Sequence, residues 1–231
     1  MFPRTLFALF ALLCCLGAAA AVPDTLPESV TAQYSGSFGI PAQTVFRRQG
    51  ADYTLVTQIE LPLYRMRFES GGSIGENGSL RPRYYQDIRN GKIYAMAAFA
   101  DGSAVFGKPE APQSAAAPQG ITDLFSLSWQ LALNPAALPE GIRFTNGKKI
   151  YPAAAIVSEN AVRPENTPFG AAVRLNRYTV QRGDAVIRFA TAPAWRLPVL
   201  IDYADADSAY RLVLQSAVID GKTLNPARPA P

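Results

Sequence analysis

The segment Tyr64-Arg65-Met66-Arg67-Phe68-Glu69 alternates apolar and charged residues with a period of two, a pattern met by an extended strand with one buried face. Residues 53–61 repeat it, with Tyr53, Leu55, Thr57, Ile59 and Leu61 on one side. β-prone segments recur at 29–34, 44–46, 142–145, 171–181, 185–190, 197–203 and 210–219. Turn signals separate them. Asn90-Gly91 predicts a hairpin between 81–88 and 92–99, and Asn146-Gly147 predicts a two-residue hairpin leading into Ile150 and Tyr151. Asp101-Gly102, Arg182-Gly183-Asp184 and Asp205-Ala206-Asp207 read as further turns, while the Pro- and Ala-rich stretch 108–119 reads as a loop. One helix is expected, 121–133, capped by Thr122 or Asp123 and ended by Asn134-Pro135. Ile121, Leu124, Phe125 and Leu131-Ala132 fall largely on one side of it. The fold class is therefore all-β with one packed helix: an antiparallel, strongly curved sheet or incomplete β-barrel, whose two halves form two wings of one sheet.

The N-terminus sets the compartment. A single charge at Arg4, an apolar run over 6–16 and a small-residue stretch ending at Ala21 read as a secretory signal peptide over 1–21. The run is shorter than the ~20 residues that span a bilayer, so cleavage before Val22 is expected and a membrane-spanning anchor is not. Residues 22–231 then form a single β-rich periplasmic domain, with a disordered tail from about 223. Both cysteines, Cys14 and Cys15, fall inside the signal, preceded by Leu12-Leu13 where a lipoprotein needs a small residue. The exported domain has no thiol, and the whole chain has no histidine. It therefore lacks the commonest general base, the commonest zinc ligand and the middle member of a serine-type triad. No cofactor or metal is expected. A formal charge of +4 is a mild bias towards anionic partners, too small in an exported protein to point to nucleic acid.

Arg65 and Arg67, and again Arg81 and Arg83, sit at strand spacing, so each pair projects from one face. On neighbouring strands, the four would line a patch suited to phosphate or carboxylate groups. The alternative is a solvated outer face with Glu60, Glu69 and Asp87 as partners. Tyr64, Met66, Phe68, Tyr84 and Tyr85 are the candidate contacts for an apolar ligand, or else part of the core. Carboxylate pairs for glycan hydrolysis are available at Glu60 and Glu69, or at Asp202 and Asp205, though none lies in a motif. Arg182-Gly183-Asp184 matches an adhesive tripeptide and Asn77-Gly78-Ser79 a glycosylation acceptor, and both read better as turns.

Several segments, in order along most of the exported chain, resemble an uncharacterised family of exported bacterial proteins, domain of unknown function 3108. They are residues 68–74, Gly78-Ser79-Leu80-Arg81-Pro82-Arg83-Tyr84, the helix Gly120-Ile121-Thr122-Asp123-Leu124-Phe125-Ser126-Leu127 with Gln130-Leu131, Thr167-Pro168-Phe169-Gly170 and Ala194-Trp195-Arg196-Leu197-Pro198-Val199. Residues 108–119 and 161–166 depart from the family pattern. The resemblance implies a periplasmic antiparallel β protein without agreed catalytic residues, similar in style to the half-barrels of lipid-binding envelope proteins. Fold alone assigns no function. The expectation is a non-enzymatic periplasmic protein that binds an amphiphilic or anionic envelope ligand, a lipid among them, or an envelope partner protein. The alternative is a carboxylate-dependent hydrolase acting on envelope glycan.

Overall fold

The computed structural model describes residues 26–100, 102–117, 120–152, 155–167, 170–182, 185–204 and 209–224. Alternation dictates the strands, and the turns join them into a meander. The first wing runs through β1 (Ser29–Gly36), β2 (Pro41–Gln49), β3 (Asp52–Leu61), β4 (Tyr64–Ile74), β5 (Leu80–Arg89), β6 (Lys92–Ala100), β7 (Ser103–Lys108) and β8 (Ala111–Ala116), each antiparallel to the next. A central insert follows: β9 (Ile121–Asp123), α1 (Leu124–Leu133), β10 (Arg143–Thr145) and β11 (Ile150–Tyr151), whose strands form a separate small sheet. The second wing is β12 (Ala155–Thr167), β13 (Gly170–Arg182), β14 (Ala185–Ala192), β15 (Leu197–Ala204), β16 (Ala209–Ile219) and the short β17 (Lys222–Leu224).

The wings meet where β16 pairs antiparallel with β1, from Val30↔Ile219 to Gly36↔Leu212. Among the described residues, fourteen strands thus form one curved antiparallel sheet, with β8 and β12 left at its two edges rather than joined. It is the strongly curved antiparallel sheet expected from the sequence, and it does not close into a barrel. The buried Tyr34 hydroxyl donates to the Pro198 carbonyl at 2.9 Å and ties the seam to β15.

The sheet wraps around α1. The helix touches β14 and β15 on one wing and β3 and β5 on the other, and Trp129 stacks on Phe46 with ring centroids 4.9 Å apart. Nine of its ten residues are buried, so it is a core helix and not the one-sided helix expected. It also starts later, because Ile121–Asp123 pairs as a parallel strand with β10. Asp123 is the cap, as expected.

The Asn90-Gly91 hairpin is present, with left-handed φ of 47° and 78°. Three other expectations are corrected. Most of 108–119 is strand, because Pro112 is tolerated in β8, which has a free side. The hairpin at Asn146-Gly147 has a four-residue loop, since Thr145 pairs with Ile150 and the Asn146 side chain accepts from the Lys148 and Lys149 backbone N–H groups. The strand β12 went unforeseen because its sequence, with Pro164, lacks apolar alternation. At the C-terminus, β17 extends pairing to Leu224. Residues 1–25, where the signal peptide is expected, Asp101, Gly183-Asp184 and 205–207 lie outside the described residues.

One close approach fixes the register of β4 on β5. Gly72 opposes Pro82 at a bulge, where an added Cβ would sit 2.0 Å from the Arg81 carbonyl oxygen. Gly72→Ala should therefore cost about 3 kcal/mol, read as a lowered midpoint in urea. Gly50→Ala, at φ 60° with nothing within 4 Å, should cost about 1 kcal/mol. Equal losses would mean that the bulge is not held as tightly as it stands.

Candidate functional site

Two polar constructions flank the apolar interior. The first is sealed. The Asp123 carboxylate is 0% exposed. Its Oδ1 accepts from the Phe125 and Ser126 N–H groups at 2.9 and 3.0 Å, and its Oδ2 accepts from the Ser70 hydroxyl at 2.8 Å. Ser70 spends its one proton on Asp123, so its 2.7 Å contact with Ser126 is a bond that Ser126 donates. Four residues beyond Ser126 on α1, buried Gln130 accepts from the Leu80 N–H and donates to the Asn134 carbonyl at 2.6 Å. The Tyr84 ring lies over Gly71, whose added Cβ would meet it at 2.7 Å. Motifs far apart in sequence, around Ser70, Leu80, Asp123 and Gln130, thus converge to dock the helix on β4 and β5. Tyr53 lies beside Ser70 and Ser126, and its buried hydroxyl makes no geometrically sound hydrogen bond.

The second construction is open and is the candidate site. A cleft of about 460 Å³ lies between the wings. Its apolar walls include Ile40, Leu61, Met66 and Phe68 from the first wing, Leu212 from the second, and Leu124 and Phe125 from the start of α1. Its polar end carries Asp87, Arg89, Asn146 and Lys148. Buried Asp87 holds Arg89 through contacts of 2.9 to 3.2 Å, and the Arg89 guanidinium lies 3.6 Å over the Tyr94 ring. The Lys148 ammonium donates to the Tyr94 hydroxyl, which pulls that phenol below its ordinary pKa. Lys148 reaches this place because Gly147 sits where an added Cβ would meet Tyr85 and Ala95 at 3.1 Å, and its carbonyl accepts from the Gly107 N–H at 2.7 Å. With Asp87 matched by Arg89, Lys148 leaves the end cationic.

The strand period sorts the sequence candidates. Met66, Phe68 and Tyr85 line the cleft. Tyr64 stands beside Arg89. Arg65, Arg67, Arg81 and Arg83 are all exposed on the outer face, where Arg67 pairs with Glu69 and Arg83 with Asp52, each at 2.7 Å. They form no single patch: β4 and β5 are neighbours, but antiparallel pairing sets Arg67 opposite Ile88, about 16 Å along the strand from Arg83. Tyr84 also faces outward, its hydroxyl 3.4 Å from Glu69. Asp87 belongs to Arg89, not to the outer arginines. Lys148 and Arg89 escaped sequence reading because their contacts at Tyr94 join residues with no shared local pattern. Among the described residues, no cluster of His, Cys, Asp or Glu is placed to hold a metal, and no helix is long and apolar enough to cross a membrane.

Fold and cleft define the class: an open, β-barrel-like domain closed around a buried helix. No family model and no curated protein matches the sequence. Among solved structures, the chain is similar to a beta-barrel-like protein of domain of unknown function DUF1849 from Brucella abortus. The TM-score is 0.53 and the identity 12%, over 84% of this chain and 98% of that one. That likeness establishes the fold.

Burial pushes the Asp123 carboxyl above the ordinary carboxylate range, against the pull of its Ser126, Ser70 and Phe125 hydrogen bonds. The folded protein therefore holds this proton more tightly than the unfolded chain. The group's contribution to stability is full below the unfolded pKa and is lost as pH rises through the raised folded one. Asp123→Asn, an equally good cap, should flatten that dependence. Its melting temperature should gain on the wild type as pH rises above about 4. A gap that narrows with rising pH would refute the assignment.

Proposed function

We propose that this chain is a non-enzymatic protein of the bacterial envelope, exported by its N-terminal signal, and that its cleft holds an amphiphile with an anionic group. The reading rests on the cleft: an apolar volume of about 460 Å³, within the usual range for small-molecule sites, with Lys148 and Arg89 at one end. The walls would take an aliphatic or ring portion, and the cationic end would take phosphate or carboxylate. The sequence resemblance to domain of unknown function 3108 fits this reading, as does the absence of histidine and of cysteine beyond the signal.

The hydrolase alternative finds less support. Two acidic side chains must face each other across the substrate. Among the described residues, Asp87 is the one carboxylate in the cleft, and it is engaged by Arg89. Glu60 and Glu69 stand on the outer face, with Glu60 opposite Arg65 and Glu69 paired to Arg67.

The test is native mass spectrometry of the protein recovered from a bacterial periplasm without detergent. The expected result is an added mass that extracts into organic solvent and fragments as an anionic lipid. Lys148→Glu should lower its occupancy at least ~5-fold, as charge-assisted hydrogen bonds are worth roughly 1.5–3 kcal/mol. The melting temperature should move little, because Lys148 is partly exposed. A bare protein mass, or full occupancy in the variant, would sink the reading.

A further inference from the structure

Two side chains stand where the fold gives them nothing to do. Phe38 and Leu63 are 101% and 102% exposed, the extreme among the large apolar side chains of the described residues. Each also occupies the left-handed region, at φ 60° and 66°, which glycine and asparagine adopt readily and a bulky residue only with strain. Nothing in the packing of the domain calls for phenylalanine or leucine there.

The topology puts both at one end of the sheet. Phe38 is at the tip of the β1–β2 connection, closed by the Gly36 N–H donating to the Ile40 carbonyl at 2.6 Å. Leu63 is in the turn that joins Leu61 to Tyr64. The start of β2 lies beside the end of β3, with Ala42 opposite Ile59, so the two tips are neighbours. The next hairpin, Asn90-Gly91, is tied to them by the Asn90 N–H on the Arg65 carbonyl at 2.9 Å. It carries exposed Lys92 and the 40% exposed Ile93. These tips rim the cleft, since Gly36, Ser37, Ile40, Leu61 and Arg89 line it. Arg65, Lys92, Lys148 and Arg211 stand at the same end, with Glu60 and Asp202 on the outer face beside them.

We propose that this rim docks on an anionic lipid surface, with Phe38 and Leu63 inserted among the lipids and the surrounding cations against the headgroups. The charge complementarity favours a lipid surface over a protein patch: apolar points ringed by cations fit a bilayer interface. The proposal goes beyond ligand binding, because it states where the cleft is presented.

The test is sedimentation of the full protein, as exported and processed by the cell, with vesicles of phosphatidylethanolamine and phosphatidylglycerol, compared with Phe38→Gly/Leu63→Gly. Burying such side chains is worth roughly 1.5–3 kcal/mol each, so vesicle affinity should fall at least ~10-fold in the double variant. Because glycine relaxes both left-handed positions, the melting temperature should hold or rise. The ligand mass should persist, which separates failure of docking from failure of the cleft reading. Wild type that stays in the supernatant, or a double variant that sediments as well as wild type, would overturn the proposal. In either case, a protein partner for the rim becomes the better account.

Discussion

The architecture hangs on one buried carboxylate. Asp123 ends the small strand β9, begins α1, and is the acceptor on which Ser70 of β4 closes. A charge taken out of water is tolerated only where donors surround it, and here the donors come from two layers at once. The same interaction that caps the helix therefore fixes its position against the sheet. Gln130 repeats the device about two turns further on, at the start of β5. Between them these two side chains set the angle at which the helix enters the concave face, and the apolar core fills in around that angle.

The cleft is what this arrangement leaves over. The body of α1 is spent on the core, where Trp129 meets Phe46 and Leu127 is fully buried. At its first turn, Leu124 and Phe125 form a floor, with Phe68 tilted against Phe125 at 5.1 Å. Beyond that floor the wings continue and the helix does not, so apolar strand faces remain without a partner. The polar end is assembled from the Asp87–Arg89 pair on β5 and the loop between β10 and β11, anchored by Gly147. A site made of the strand ends of one wing and a loop of the insert has its shape fixed by the rigid core behind it.

Alternation made the sheet legible. Tyr53 to Leu61 and Tyr64 to Phe68 announced both their strands and their buried faces, and Asn90-Gly91 announced its turn. Asp123 was legible as a cap but not as the anchor of β4, because Ser70 is 53 residues away. The helix showed a helical period but not its burial on every side, which depends on the sheet closing around it. For the site, the period of two correctly grouped Met66 with Phe68, and set Arg65 and Arg67 on the opposite face. It could not say how far along neighbouring strands two pairs would land, and that separated Arg67 from Arg83. The cationic end was invisible because it is built by tertiary contacts alone.

The seam between β1 and β16 has a consequence in time. Ser29 and Glu28 lie within 2.9 Å of Asp220, across more than 190 residues of chain. The first strand made is thus a neighbour of one of the last, and the middle of the sheet cannot be zipped until nearly all of the polypeptide is available. Among the described residues every other pairing in the large sheet joins consecutive strands, so each wing can form locally and this one distant pairing closes last. Loss of β16 would therefore open the sheet at its middle, along β1, and not at the edges formed by β8 and β12.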